Sequence, residues 1–182
     1  MNYYKSIGKD SQAMKQLAIY DSGLGGYSIY HDLKQAFPSL NMVLYADQRN
    51  APYGNRSYES LLDVSIQAIS SIVKDGFKDI LVACNTISAT SLKTLQLMFP
   101  DVNIIGIIDL TVSQVTSGQV AVLATQATIS SHAYGTALAT KATVSEIALP
   151  ELVGLIEGLE SDETITEYLK SIPALSEDYD TV

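Results

Sequence analysis

The chain has 182 residues, 47% hydrophobic and 17% charged, with eleven basic residues against twenty acidic for a net charge of −9. That length buries a real core in one ordinary domain or two small ones, and the composition excludes intrinsic disorder. Acidity without a basic cluster excludes nucleic acid and anionic membrane as partners, and no apolar run approaches bilayer-spanning length.

Residues 1–16 read as a polar leader without the apolar core of a signal peptide. Leu17 to Tyr20 is a short strand that runs into the tight turn Asp21-Ser22-Gly23-Leu24-Gly25-Gly26. Helical pattern follows from Tyr27 to Ala36 and stops at Phe37-Pro38. Asn41 to Ala46 is a second strand, and a polar loop from Asp47 to Ser57 holds Pro52-Tyr53-Gly54. The longest amphipathic helix covers Tyr58 to Lys74, with Gly76 suited to a left-handed cap.

Ile80 to Ala83 is a continuous apolar run, as expected of a strand buried on both faces. Cys84 ends it, Asn85 and Thr86 follow, and a helix is expected over Ile87 to Met98, with Thr86 placed to cap it. Asn103 to Ile108 and Gln119 to Ala124 are further strands. Thr125-Gln126-Ala127-Thr128 and then a helix through about Ala139 lead to a sixth strand over Ala142 to Ile147. The pattern after Pro150 is helical with a break near Ser161, and Asp180-Thr181-Val182 begins another strand. Strand alternating with helix predicts parallel sheet with right-handed crossovers. The expected fold is α/β: two similar parallel-sheet lobes facing a cleft, spanning 17–108 and 109–182, the second incomplete.

Strand carboxyl ends form the ligand-binding edge of a parallel sheet, which directs attention to three loops. The glycine turn has Ser28 where a dinucleotide fingerprint needs its last glycine, and no lysine of a phosphate loop. It remains either a plain tight turn or a set of backbone donors for an anion, a carboxylate included. Asp21 and Ser22 place an acid and a hydroxyl there, able to orient an amine or a base. Pro52-Tyr53-Gly54 is either an ordinary proline turn or part of the same edge. Cys84 is either a small core residue or a reactive thiol, its pKa lowered beside the following helix. His31 reads as structural or exposed. His132 is a further candidate base. No His, Cys and acid cluster has metal-ligand spacing. One cysteine makes no internal disulfide, which fits a cytoplasmic, reducing setting.

Asp21-Ser22-Gly23-Leu24-Gly25-Gly26, Ala51-Pro52-Tyr53-Gly54 and Ala83-Cys84-Asn85-Thr86, in this order, resemble the glutamate racemase family of cofactor-independent amino-acid racemases. Ile105-Gly106-Ile107-Ile108 and Val122-Leu123-Ala124-Thr125 with Thr128 continue the resemblance, which covers Leu17 to Val182. It implies two thiols flanking the α-carbon of glutamate, one removing a proton and the other returning one, with no pyridoxal phosphate or metal. Carried over by motif, Cys84 is one base and Asp21 adjusts its proton affinity or holds the ammonium. Ser22, Pro52, Tyr53, Gly54, Asn85, Thr86 and Thr125 then bind the carboxylates and amine of glutamate or a similar acidic amino acid.

The sequence departs from that pattern in several places. The family's second cysteine, in a Cys-Thr-His-Tyr-Pro motif on the strand beginning at Asp180, is absent. Asp109 stands where glutamate followed by proline is usual, and Leu149 where cysteine before proline is common. One thiol implies little or no racemisation by this chain alone. A non-catalytic remnant binding an acidic amino acid or a protein partner, and a racemase using His132 as second base, are the rival expectations. An incomplete lobe also predicts exposed apolar surface and edge strands, hence a homodimer or self-association.

Overall fold

In a strand, successive side chains point to opposite faces, so an unbroken apolar run needs cover on both sides. A computed structural model of the protein describes residues 16–176 and 178–182 and supplies that cover. The leader expected over 1–16 lies outside the described residues, except Gln16, which opens the first strand. Strands β1 (Gln16–Asp21), β2 (Asn41–Ala46), β3 (Asp79–Val82) and β4 (Asn103–Gly106) form one parallel sheet in the order β2-β1-β3-β4. Ala18, Tyr20, Ile80, Val82 and Ile104 point to one face, where α2 (Tyr58–Lys74) lays down Leu61, Ile69 and Ile72. Ile19, Leu81 and Ala83 point to the other, beneath Ile29 and Leu33 of α1 (Gly25–Ala36). Ile69, Ile72 and Ile80 are essentially inaccessible, each contributing about 1.5–3 kcal/mol by burial.

A second parallel pair, β5 (Gln119–Ala124) and β6 (Thr143–Ala148), follows. Its core joins Val120, Val122 and Leu138 to Ile108 and Val112. Thr181 adds a parallel bridge to Val120. Gly76 takes a φ of +95° after α2, as its cap position requires. The expected break near Ser161 separates α8 (Leu152–Glu157) from α9 (Asp162–Lys170), and the Ser161 hydroxyl caps α9 by accepting from the Thr164 N–H.

Beyond shifts of one or two residues at element ends, three elements differ from the sequence reading. β4 stops at Gly106, where its ladder with β3 ends, and Ile107 and Ile108 open α5 (Ile107–Gln114). Ser88 Oγ captures the Ile107 N–H, and helical spacing turns Ile108 and Val112 together toward the second core. The helix expected over Ile87 to Met98 starts at Asn85 and divides into α3 (Asn85–Thr90) and α4 (Leu92–Met98). Thr90 Oγ1 bonds the Thr86 carbonyl at that junction, a competition hydroxyl side chains bring to helices. The helix expected after Thr125-Gln126-Ala127-Thr128 starts earlier, at Gln126, and divides likewise into α6 (Gln126–Ser131) and α7 (Ala133–Leu138) at His132, whose φ of 52° is left-handed.

Candidate active site

Hydrogen bonds tie the carboxyl ends of the first sheet together. The Tyr20 carbonyl accepts from the N–H groups of Ala83 (2.8 Å) and Cys84 (3.3 Å), and the Asp21 carbonyl accepts from Asp47 N–H (2.8 Å). Cys84 therefore stands beside Asp21 and Ser22 across 62 residues of sequence, with its Sγ 3.8 Å from Ser22 Oγ. Asp21 is buried, and its Oδ2 accepts from the Gly23 N–H (2.8 Å).

Burial raises the proton affinities of this pair. Cys84 is 4% exposed, and burial first, then the Asp21 charge, pushes its thiol up to about 11. The expected lowering by the following helix is thereby reversed: one short turn of helix does not outweigh removal of a thiolate from water. Asp21 is also pushed up from the ordinary carboxylate range, by burial and, last, by Glu157, against the backbone donors that hold its charge. Burial thus raises the proton affinity of both adjacent acids, and the Asp21 charge adds to that of the thiol.

Tyr53 is buried in the first core, and its hydroxyl donates to Asp47 Oδ2 (2.6 Å). Its proton being committed there, Tyr20 donates to Tyr53 (2.8 Å), and burial raises both phenols. Asn50 Nδ2 completes the set on both Asp47 oxygens. Pro52, joined to Ala51 by a cis peptide bond, is exposed.

The second sheet's layer reaches this edge at several points. Thr86 Oγ1 lies 3.1 Å from Thr125 Oγ1, which in turn lies 3.0 Å from the buried Thr128 hydroxyl. The Gly54 carbonyl accepts from Ala127 N–H (3.1 Å), and a Cβ at Gly54 would lie 2.8 Å from Thr125 Cβ, so only glycine admits this approach. Tyr134 donates to Asn85 Oδ1 (2.6 Å). Thr86 is not the cap of α3: the residue ahead of that helix is Cys84, which caps with no side-chain bond, and the Thr86 hydroxyl turns to Thr125 instead. Thr125 is the working cap, on α6, accepting from Thr128 N–H.

Two residues at the edge were not singled out in the sequence. Glu157, at the end of α8, accepts from the Leu24 N–H (3.2 Å) and rests where a Gly23 Cβ would stand. A carboxylate from the chain itself thus meets a glycine-turn donor, and only the run of acids late in the sequence hinted at it. Tyr134 carried no signal beyond its place eight residues after Gln126. His132 is largely exposed and pairs with Glu146 Oε2 through Nδ1 (2.7 Å), and His31 is exposed on α1. Among the described residues no group of His, Cys, Asp and Glu is arranged to hold a metal ion, and no helix is long and apolar enough to cross a membrane.

No protein-family model matches the chain. It is 34% identical over 180 residues to a glutamate racemase of Trichodesmium erythraeum, covering 92% of this chain and 65% of the relative. A glutamate racemase of Persephonella marina is 32% identical over 167 residues, covering 86% and 64%. The crystal structure of a glutamate racemase from Francisella tularensis in complex with D-glutamate superposes with a TM-score of 0.81 at 26% identity, covering 92% of this chain and 65% of that one. The chain spans about two thirds or less of the length of these relatives. With parallel α/β sheets, motifs on one carboxyl edge and these likenesses, the chain belongs to the glutamate racemase family.

Proposed function

We propose that this chain carries one half of a racemase site for glutamate, the family activity being interconversion of L- and D-glutamate, the latter for cell-wall peptidoglycan. The observation that supports it most is the meeting of Asp21, Ser22 and Cys84 at one buried sheet end, with Ser22 Oγ 3.8 Å from Cys84 Sγ. In this reading Cys84 removes the α-proton of one enantiomer, and Asp21 adjusts its proton affinity or holds the ammonium. Ser22, Pro52, Tyr53, Gly54, Asn85, Thr86 and Thr125 bind the carboxylates and amine. The α-proton is a very weak acid, so rate is gained by orientation and by stabilising charge as the carbanion forms. A thiol near 11 is well matched in basicity but about one ten-thousandth ionised at neutral pH, so the positive charge of the ligand's ammonium must help stabilise the thiolate.

Two-way racemisation needs a proton returned from the opposite face, and the 182 residues hold one cysteine. We therefore expect exchange without inversion, or binding alone, from this polypeptide in isolation. Binding of an acidic amino acid or of a protein partner without turnover is the second reading, favoured by the same raised thiol. A lone thiol fits the cytoplasm.

The test is NMR in D₂O with L-glutamate and, separately, D-glutamate. Loss of the α-proton of one enantiomer without inversion supports a working half-site, and Cys84→Ser removes it. Sustained inversion in both directions overturns the single-base reading. No exchange, with binding retained, leaves the non-catalytic reading.

A further inference from the structure

Asn85 follows Cys84 directly and opens α3 at the edge of the first sheet, with its side chain exposed. A carboxamide is two-faced: its oxygen only accepts and its nitrogen only donates. Which end faces a ligand decides whether the residue attracts or repels a carboxylate. The Tyr134 hydroxyl, 2.6 Å from Asn85 Oδ1, engages the accepting end. We propose that Tyr134 is a positioning residue that holds the Asn85 amide with its N–H groups toward the cleft, and so favours a ligand carboxylate there. This rests on the reading of the cleft as an acidic amino-acid site.

The rest of Tyr134 suits that task. Its ring packs against the second core, which contains Ile108 and Leu138, so few side-chain rotations remain to be lost when the hydroxyl bonds Asn85. Burial raises its pKa, which keeps the phenol a proton donor at neutral pH. Because α7 belongs to the second sheet's layer and α3 to the first, the bond also makes the amide's orientation depend on how the two meet.

The test measures affinity for L- and D-glutamate in the full chain and in Tyr134→Phe, which keeps the ring and the packing. One lost hydrogen bond predicts weakening of about three- to tenfold with an unchanged melting temperature. In an Asn85→Ala background, Tyr134→Phe is expected to cause no further loss, because its effect passes through the amide. In the ligand-free protein the Asn85 side-chain N–H₂ resonances, identified by their disappearance in Asn85→Ala, are expected to be rigid and to become mobile in Tyr134→Phe. Equal affinity in the two proteins, a further loss in the Asn85→Ala background, or an unchanged amide signal each overturns the role of Tyr134 while the acidic-ligand reading stands. Failure of the unmodified chain to bind either enantiomer overturns that reading, and this inference with it.

Discussion

The two carboxyl edges of this molecule are built alike and equipped differently. At the first, β1 and β3 bury most of their residues, and two acids stand directly at their ends: Asp21 and Cys84, both screened from water. At the second, β6 is half-covered along its length, and the groups presented are the hydroxyls of Thr125 and Thr128, with Tyr134 further on. Burial raises the proton affinities of acids and makes groups responsive to one another, whereas neutral hydroxyls fix geometry without changing charge. The first edge therefore carries acids whose proton affinity the fold has raised, and the second carries neutral hydroxyls.

The largest expected difference is in packing. Ile80→Ala, in the first core, should cost about 3 kcal/mol, whereas Val144→Ala on half-covered β6 should cost about 1 kcal/mol, measured by denaturant unfolding. Equal losses would erase the contrast.

A smaller effect follows from the thiol. The folded state holds the Cys84 proton more tightly than the unfolded chain, so its contribution is complete below the ordinary 9.0 and lost as pH rises through about 11. Stability should fall by about 3 kcal/mol across that window, and less in Cys84→Ala. Asp21→Asn removes a charge that opposes the thiolate, so alkylation of Cys84 at pH 8 should quicken by about threefold or more, while slower alkylation would mean that Asp21 favours the thiolate. Smaller still, Gly54→Ala should cost about 1–2 kcal/mol by pressing on Thr125, part of which Thr125→Ser should restore.

The parallel α/β class and nearly all strands were legible in the sequence, because a continuous apolar run such as Ile80 to Ala83 has one economical placement, between two helical layers. Helix boundaries were less so. Ile107 and Ile108 read as strand because an apolar pair looks the same in either state, and only the end of the β3 ladder and the hydroxyl of Ser88 make them helix. The divisions at Ser91 and His132 depend on side-chain bonds of neighbouring turns, which periodicity does not register.

For the site, motif order brought Asp21, Ser22, Tyr53, Gly54, Cys84, Asn85, Thr86 and Thr125 into view together, since each follows a strand or stands in a loop at its carboxyl end. Their partners were hidden. Tyr134 meets Asn85 across 49 residues, and Glu157 meets Leu24 across 133. What the sequence by itself determined is which residues stand at the sheet ends, because strand-turn-helix alternation is a local property. What only the tertiary structure decided is how those residues are charged and aimed. The proton affinity of Cys84 and the orientation of Asn85 depend on burial and on side chains brought in from the second sheet, and neither is written in any one stretch of the chain.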